Sequence, residues 1–244
     1  IFPKNSMHSI PKVNGAVRLF SDKTGVLEAI LDFHRVTKWK TAGDSITAAL
    51  RLARPDSKNI LIVGAGTVGQ SLFDAYSAAF PKANFLVWNR THERALYMVK
   101  NKSNAVAVEN LEAGVKRADI ITCATMSKQP IIKGEWLIPG QHLDLIGAYR
   151  PDMREVDDLA LCRSTKFVDS YDTTLDHIGE LKIPLKNNVI SRADILADFY
   201  GLGNFIRRSN DEITFFKNGG GAHLDLIVAK YILTAWEKNK YPKS

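Results

Sequence analysis

Six residues constrain this chain more than any others: Gly64-Ala65-Gly66-Thr67-Val68-Gly69, directly after the short run Asn59-Ile60-Leu61-Ile62-Val63. The run is apolar and β-prone, and helical spacing follows the glycines to near Phe80, so the local order is strand, glycine turn, helix. Each glycine has a separate use in that order. Gly64 permits the tight turn, Gly66 lets backbone amides approach a pyrophosphate, and Gly69 lets the helix pack close to the strand. The helix N-terminus beyond them attracts anionic phosphates. Such a loop is weak evidence alone; between a strand and a helix it points to a bound dinucleotide held by Gly64, Ala65, Gly66, Thr67, Val68 and Gly69.

The end of the next strand selects among dinucleotides. A carboxylate there would bind the ribose hydroxyls of NAD, but this chain has Trp88-Asn89-Arg90-Thr91. Asn89 and Thr91 can hydrogen-bond a 2′-phosphate, and the planar guanidinium of Arg90 can pair with it. NADPH is therefore expected, with NADH possible. A helix-entry arginine on the surface is the plainer alternative for Arg90. Further on, Ala118 to Thr125 ends in small and hydroxylic residues, placing Cys123, Ala124 and Thr125 on the nicotinamide side.

The remainder fits an α/β fold, a Rossmann-type doubly wound parallel sheet. Strands are predicted at Phe85 to Trp88, Ala105 to Val108, Ile120 to Thr122, His142 to Ile146, Lys166 to Val168 and Asp211 to Lys217, separated by helices or turns. The segment beyond Asp194 reads as helical. Ahead of the glycine loop, Gly15 to Phe20 and Val26 to Asp32 flank the turn residues 21–25 and predict a hairpin, followed by a helix over 37–53. Leu224 to Lys238 reads as an amphipathic helix. The net charge of +7 is scattered rather than massed, which argues against nucleic acid as a partner. No apolar run reaches membrane-spanning length and no signal-peptide pattern opens the chain, so a soluble cytoplasmic protein is expected. Because the chain starts at Ile1 within what reads as a strand-and-turn region, a preceding segment is expected to be missing. Cys123 and Cys162 are too few and too isolated for a disulfide framework or metal site, and are expected to be buried thiols.

Four stretches together resemble the ornithine cyclodeaminase/mu-crystallin family: Thr37-Lys38-Trp39-Lys40-Thr41-Ala42, the glycine loop, Gly147 through Glu155 (Gly-Ala-Tyr-Arg-Pro-Asp-Met-Arg-Glu), and Phe216 through Asp225. The resemblance implies a homodimer of two-domain subunits. A cofactor-binding domain, 51–212, would be inserted in a smaller α+β substrate-binding and dimerisation domain made of 1–50 and 213–244. The family arginine that holds the substrate carboxylate corresponds to Lys40 here, with Thr41 beside it; lysine makes this contact as a less directional point charge. Gly147 falls at the cofactor, while Gly220, Gly221 and His223 fall near the substrate, although His223 could equally serve packing.

Cyclodeaminases of this family carry an aspartate two residues after the glycine matching Gly147. This chain has Tyr149, a poor general base at neutral pH but a competent hydrogen-bond donor. The resemblance therefore implies reduction of a preformed cyclic imino acid: Δ1-pyrroline-2-carboxylate to L-proline, or Δ1-piperideine-2-carboxylate to L-pipecolate, in amino-acid catabolism. Lys40 and Tyr149 are the catalytic candidates. The alternatives are an ornithine cyclodeaminase or alanine-type amino-acid dehydrogenase on the same scaffold, and a non-catalytic NADPH-binding protein.

Overall fold

The computed structural model describes Asn5, Ile10 and residues 14–240. It divides into two compact units, 1–41 with 221–244, and 42–220. The larger unit is built on a sheet of eight parallel strands: β3 (Asn59–Val63), β4 (Asn84–Trp88), β5 (Ala105–Ala107), β6 (Ile120–Cys123), β7 (His142–Leu145), β8 (Thr165–Val168), β9 (Ile195–Ala197) and β10 (Thr214–Lys217). Their order is β5-β4-β3-β6-β7-β10-β8-β9. Strand order reverses between β3 and β6, and ligands of open α/β sheets bind beyond the strand ends at such a reversal.

Helices cover both faces, which explains why β3 is apolar from Ile60 to Val63. Leu61 and Val63 join one buried cluster with Ile121, Leu143 and Phe215. The alternate residues Ile60 and Ile62 join another with Leu72, Phe73 and Tyr76 of helix α2 (Thr67–Ala79). α2 is preceded by α1 (Phe33–Leu52) and followed by α3 (His92–Val99), α4 (Leu111–Arg117), α5 (Asp158–Cys162), α6 (Tyr171–Thr174), α7 (Gly179–Lys186), α8 (Phe199–Leu202) and α9 (Ala222–Lys240). Small residues of α1, among them Ala42 and Ala49, pack in the same cluster as Ile60.

In the smaller unit, β1 (Ala16–Phe20) and β2 (Leu27–Asp32) form the expected antiparallel hairpin. Ser21 accepts from the Gly25 amide at 2.8 Å, and Gly25 adopts φ +69°, the left-handed conformation glycine tolerates. Leu19 and Val36 pack with Ala229 of α9.

Several expectations need correction. α1 begins at Phe33, because the Asp32 carboxylate accepts from the Arg35 amide at 2.8 Å and caps the helix early. The stretch beyond Asp194 is an edge strand, β9, and the single turn α8. Gly201 and Gly203 shorten the helix, and three strand residues are too few to display a period. β10 starts at Thr214 rather than Asp211 and runs inside the large sheet between β7 and β8. Cys123 is buried but Cys162 is exposed.

Candidate dinucleotide site

The strands around the reversal end level with one another. Trp88, Val63 and Cys123 lie in one row across β4, β3 and β6, and the row continues through Leu145, Lys217 and Val168. One residue further, backbone bonds still link the row: Gly64 N–H donates to Trp88 O at 2.8 Å, Ala124 N–H to Val63 O at 2.8 Å, and Ile146 N–H to Cys123 O at 2.9 Å. Every loop of the site thus leaves the sheet at the same height.

The glycines at this edge are sterically required. A Cβ on Gly69 would lie 1.9 Å from Gly64 O, so only glycine lets α2 pack against the turn. Gly64 has φ +112°, and its Cβ would stand 2.9 Å from Ala124 O. Gly66 differs: a Cβ there would meet no heavy atom of the described residues within 4 Å. It opens onto a cavity of about 270 Å³ walled by Gly64 and Gly66, by Trp88 to Thr91 with Arg94, and by Ala124 to Ser127 with Ile131. Space that the protein itself does not fill, beside the unpaired amides of a helix N-terminus, fits the pyrophosphate of a dinucleotide.

Expected residues divide by placement. Gly64, Gly66, Asn89, Arg90, Thr91, Ala124 and Thr125 line this one cavity. Asn89 is committed to scaffolding: its Oδ1 accepts from Ala65 N–H at 3.0 Å and its Nδ2 donates to Thr91 O at 2.9 Å. It braces the glycine loop against the second strand end, and its second amide N–H is left over on the cavity side of that brace. Cys123 turns its thiol into the core, where burial and the nearby Glu155 charge push its pKa well up. Tyr149 is exposed. In the smaller unit, Lys40 Nζ pairs with Asp225 Oδ1 at 2.8 Å, and His223 is exposed in the first turn of α9.

Beneath the strand ends lies a buried polar seam that pattern reading missed. Glu155, fully buried, accepts from Thr125 N–H, Thr125 Oγ1 and Gly147 N–H, each at 2.8 Å, and from Ala148 N–H at 3.2 Å. One carboxylate therefore ties the loop after β6 to the loop after β7. Glu180 in turn accepts the Glu155 and Val156 amides at 2.6 and 3.1 Å, and burial with the adjacent Glu155 charge raises its pKa to about 7. Lys217, wholly buried, donates from Nζ to Leu145 O at 2.8 Å; burial lowers its pKa against the pull of the surrounding carboxylates. Asp169 accepts from Gly219 and Gly220 N–H at 2.9 and 2.7 Å and so shapes the glycine run after β10. In the sequence the seam shows only as Glu155 closing the stretch from Gly147 and as charged residues within or beside apolar strands, such as Asp144 and Lys217.

Sheet order, glycine turn and cavity define a dinucleotide-binding α/β protein. The chain belongs to the ornithine cyclodeaminase/mu-crystallin family, whose profile matches residues 1–240. It is 48% identical over 240 residues to a Δ1-pyrroline-2-carboxylate reductase of Paracoccus denitrificans, covering 95% of this chain and 76% of that protein. The structure of a Thermococcus litoralis Δ1-pyrroline-2-carboxylate reductase in complex with NADH and L-proline superposes with a TM-score of 0.88 at 30% identity, covering 93% of this chain and 73% of the other. An archaeal alanine dehydrogenase dimer with bound NAD superposes with a TM-score of 0.90 at 28% identity, covering 97% and 76%. These relatives are oxidoreductases. Among the described residues no cluster suited to a metal ion occurs, and no helix is long and apolar enough to cross a membrane.

Proposed function

We propose that this protein is an NADPH-dependent imine reductase that converts Δ1-pyrroline-2-carboxylate to L-proline and accepts the six-membered homologue Δ1-piperideine-2-carboxylate, giving L-pipecolate. The observation that carries the substrate is the 48% identity, over 95% of the chain, to a Δ1-pyrroline-2-carboxylate reductase. The cofactor reading rests on the rim of the cavity, where Arg90 and Thr91 stand and no carboxylate is present among the described residues. The larger unit is assigned the cofactor, and the smaller unit substrate binding and the contacts of a homodimer.

When bound, the reduced nicotinamide supplies the hydride. The chain supplies position. The first amides of α2 and Gly66 seat the pyrophosphate, while Thr125, held by Glu155, sets the wall on the nicotinamide side. Lys40 anchors the substrate carboxylate. It is already paired with Asp225, but an ammonium has three N–H donors and can serve both carboxylates. Asp225 then fixes where the ammonium points. Tyr149, exposed and hydroxyl-bearing, is the candidate hydrogen-bond donor toward the imine nitrogen.

The test follows the loss of reduced-nicotinamide absorbance with each of Δ1-pyrroline-2-carboxylate, Δ1-piperideine-2-carboxylate and pyruvate plus ammonia, using NADPH and NADH in parallel. Turnover of the cyclic imines with NADPH preferred is expected, and Lys40→Met should raise KM for the imine about tenfold or more with a smaller change in kcat. Turnover with pyruvate and ammonia alone would replace the reading by an amino-acid dehydrogenase, and ammonia release from ornithine would replace it by a cyclodeaminase.

A further inference from the structure

The cavity rim holds two guanidinium groups where the sequence motif supplies one. Arg90 stands at the exit of β4 and Arg94 in the first turn of α3; both are exposed, both line the cavity beside Gly64, Asn89 and Thr91, and neither side chain has a hydrogen bond or ion pair with any described residue. Two other arginines of this unit do have partners. Arg154 pairs with Asp158, and Arg207 donates to Thr214 and to backbone carbonyls.

The position of Arg94 is unfavourable without an anion. It is the third residue of α3, in the first turn, where the helix dipole disfavours a cation. Thr91, the residue that precedes the helix, makes no side-chain capping bond and leaves its hydroxyl unspent. No acid pairs with either arginine among the described residues. Glu109 lies 3.8 Å from His92, and neither Glu93 nor Glu109 lines the cavity.

We propose that Arg94 is a second specificity-determining residue, which together with Arg90 clamps the ribose 2′-phosphate of the cofactor from two sides, with the Thr91 hydroxyl between them. This rests on the NADPH reading given above and deepens it. A phosphomonoester offers close to two negative charges and three acceptor oxygens, enough for two forked guanidinium donors, whereas the 2′-hydroxyl of NADH offers neither. Two arginines also account for the absence of a carboxylate on this rim, since an acid there would pair with one of them.

The experiment is calorimetric titration of the full chain with adenosine 2′,5′-bisphosphate and, separately, AMP, for the wild type, Arg94→Ala and Arg94→Lys, with Arg90→Ala for comparison. The wild type should favour the bisphosphate. Arg94→Ala should lose about tenfold of that preference, Arg94→Lys should regain part of it, and the salt dependence of bisphosphate binding should flatten in the alanine variant. A wild type that prefers the bisphosphate alongside an Arg94→Ala variant that keeps the whole preference would overturn the role of Arg94 and leave the NADPH reading standing. A wild type that binds both probes equally would overturn the NADPH reading and this inference with it. Steady-state KM for NADPH against NADH supplies the second readout, and a circular-dichroism melt of each variant verifies folding.

Discussion

The cavity rim and the seam beneath it treat polar groups in opposite ways. At the rim, Arg90, Arg94 and the Thr91 hydroxyl are left unspent, and Gly66 leaves space unfilled. In the seam beneath it, Glu155 accepts four hydrogen bonds and Asp169 is occupied by backbone amides. Unsatisfied groups near solvent cost little and are free to meet a ligand, whereas a buried polar group must be satisfied or it destabilises the fold. The rim is therefore where binding should be sensitive to mutation, and the seam is where folding and loop placement should be.

The strongest test of that contrast is Gly69→Ala. Its Cβ would press to 1.9 Å from Gly64 O, a backbone atom that cannot move without unseating β3 from α2. A loss of about 4 kcal/mol or more, or failure to fold, is expected in urea denaturation. A near-normal midpoint would show that the turn relaxes and that close packing is not what requires glycine there.

Next in size is Glu155→Gln. The amide nitrogen of glutamine would face an N–H donor whichever way it turns, because both carboxylate oxygens accept. A destabilisation of about 3 kcal/mol is expected, together with a fall in kcat larger than the rise in KM for NADPH, since the loops after β6 and β7 lose their common tie. Unchanged kcat in a folded variant would reduce Glu155 to a structural role alone.

How far each region was legible follows from the same contrast. The rim could be read because its chemistry is local: Gly64 to Gly69 and Asn89 to Thr91 are contiguous, and their spacing from β3 and β4 fixes where they stand. Even there, Asn89 also braces Ala65, a cross-loop bond that no single-strand pattern reveals. Arg94 was overlooked because one turn of α3 separates it from the motif. The seam could not be read, since Glu155, Glu180 and Asp169 come from three different segments and meet only after the sheet forms. The insertion of β10 between β7 and β8 was hidden for a related reason: strand order is a non-local property, and Thr214 to Lys217 shows only that a buried strand exists.

A smaller effect separates the seam by pH. Burial pushes the Asp144 carboxyl up from 3.8 to about 6, against the donors Thr122 and Tyr76 at 2.6 and 3.0 Å, which pull it down. A folded-state value above the unfolded one means that this group's stabilisation is fully present below about pH 3.8 and is lost as pH rises through about 6. The loss amounts to roughly 2–3 kcal/mol from a shift of about two units. Asp144→Asn removes it, so the stability difference between variant and wild type should move in the variant's favour between pH 4.5 and 7 in parallel urea titrations, by about that amount. A difference independent of pH would mean that Asp144 titrates as it would in water.

The smallest stability effect sharpens the comparison most. Gly66 has φ −91°, open to any residue, and a Cβ there would touch nothing within 4 Å, so Gly66→Ala should change the urea midpoint by less than about 1 kcal/mol. Nothing among the described residues requires glycine at this position. The requirement must then come from a ligand whose phosphates approach the backbone at the head of α2, and binding of NADPH should weaken about tenfold or more in a variant that melts like the wild type. Gly69 and Gly66, three residues apart in one loop, would thus respond in opposite senses: one loses the fold and the other loses the cofactor. If Gly66→Ala bound NADPH normally, the open face of the loop would not be where the pyrophosphate lies.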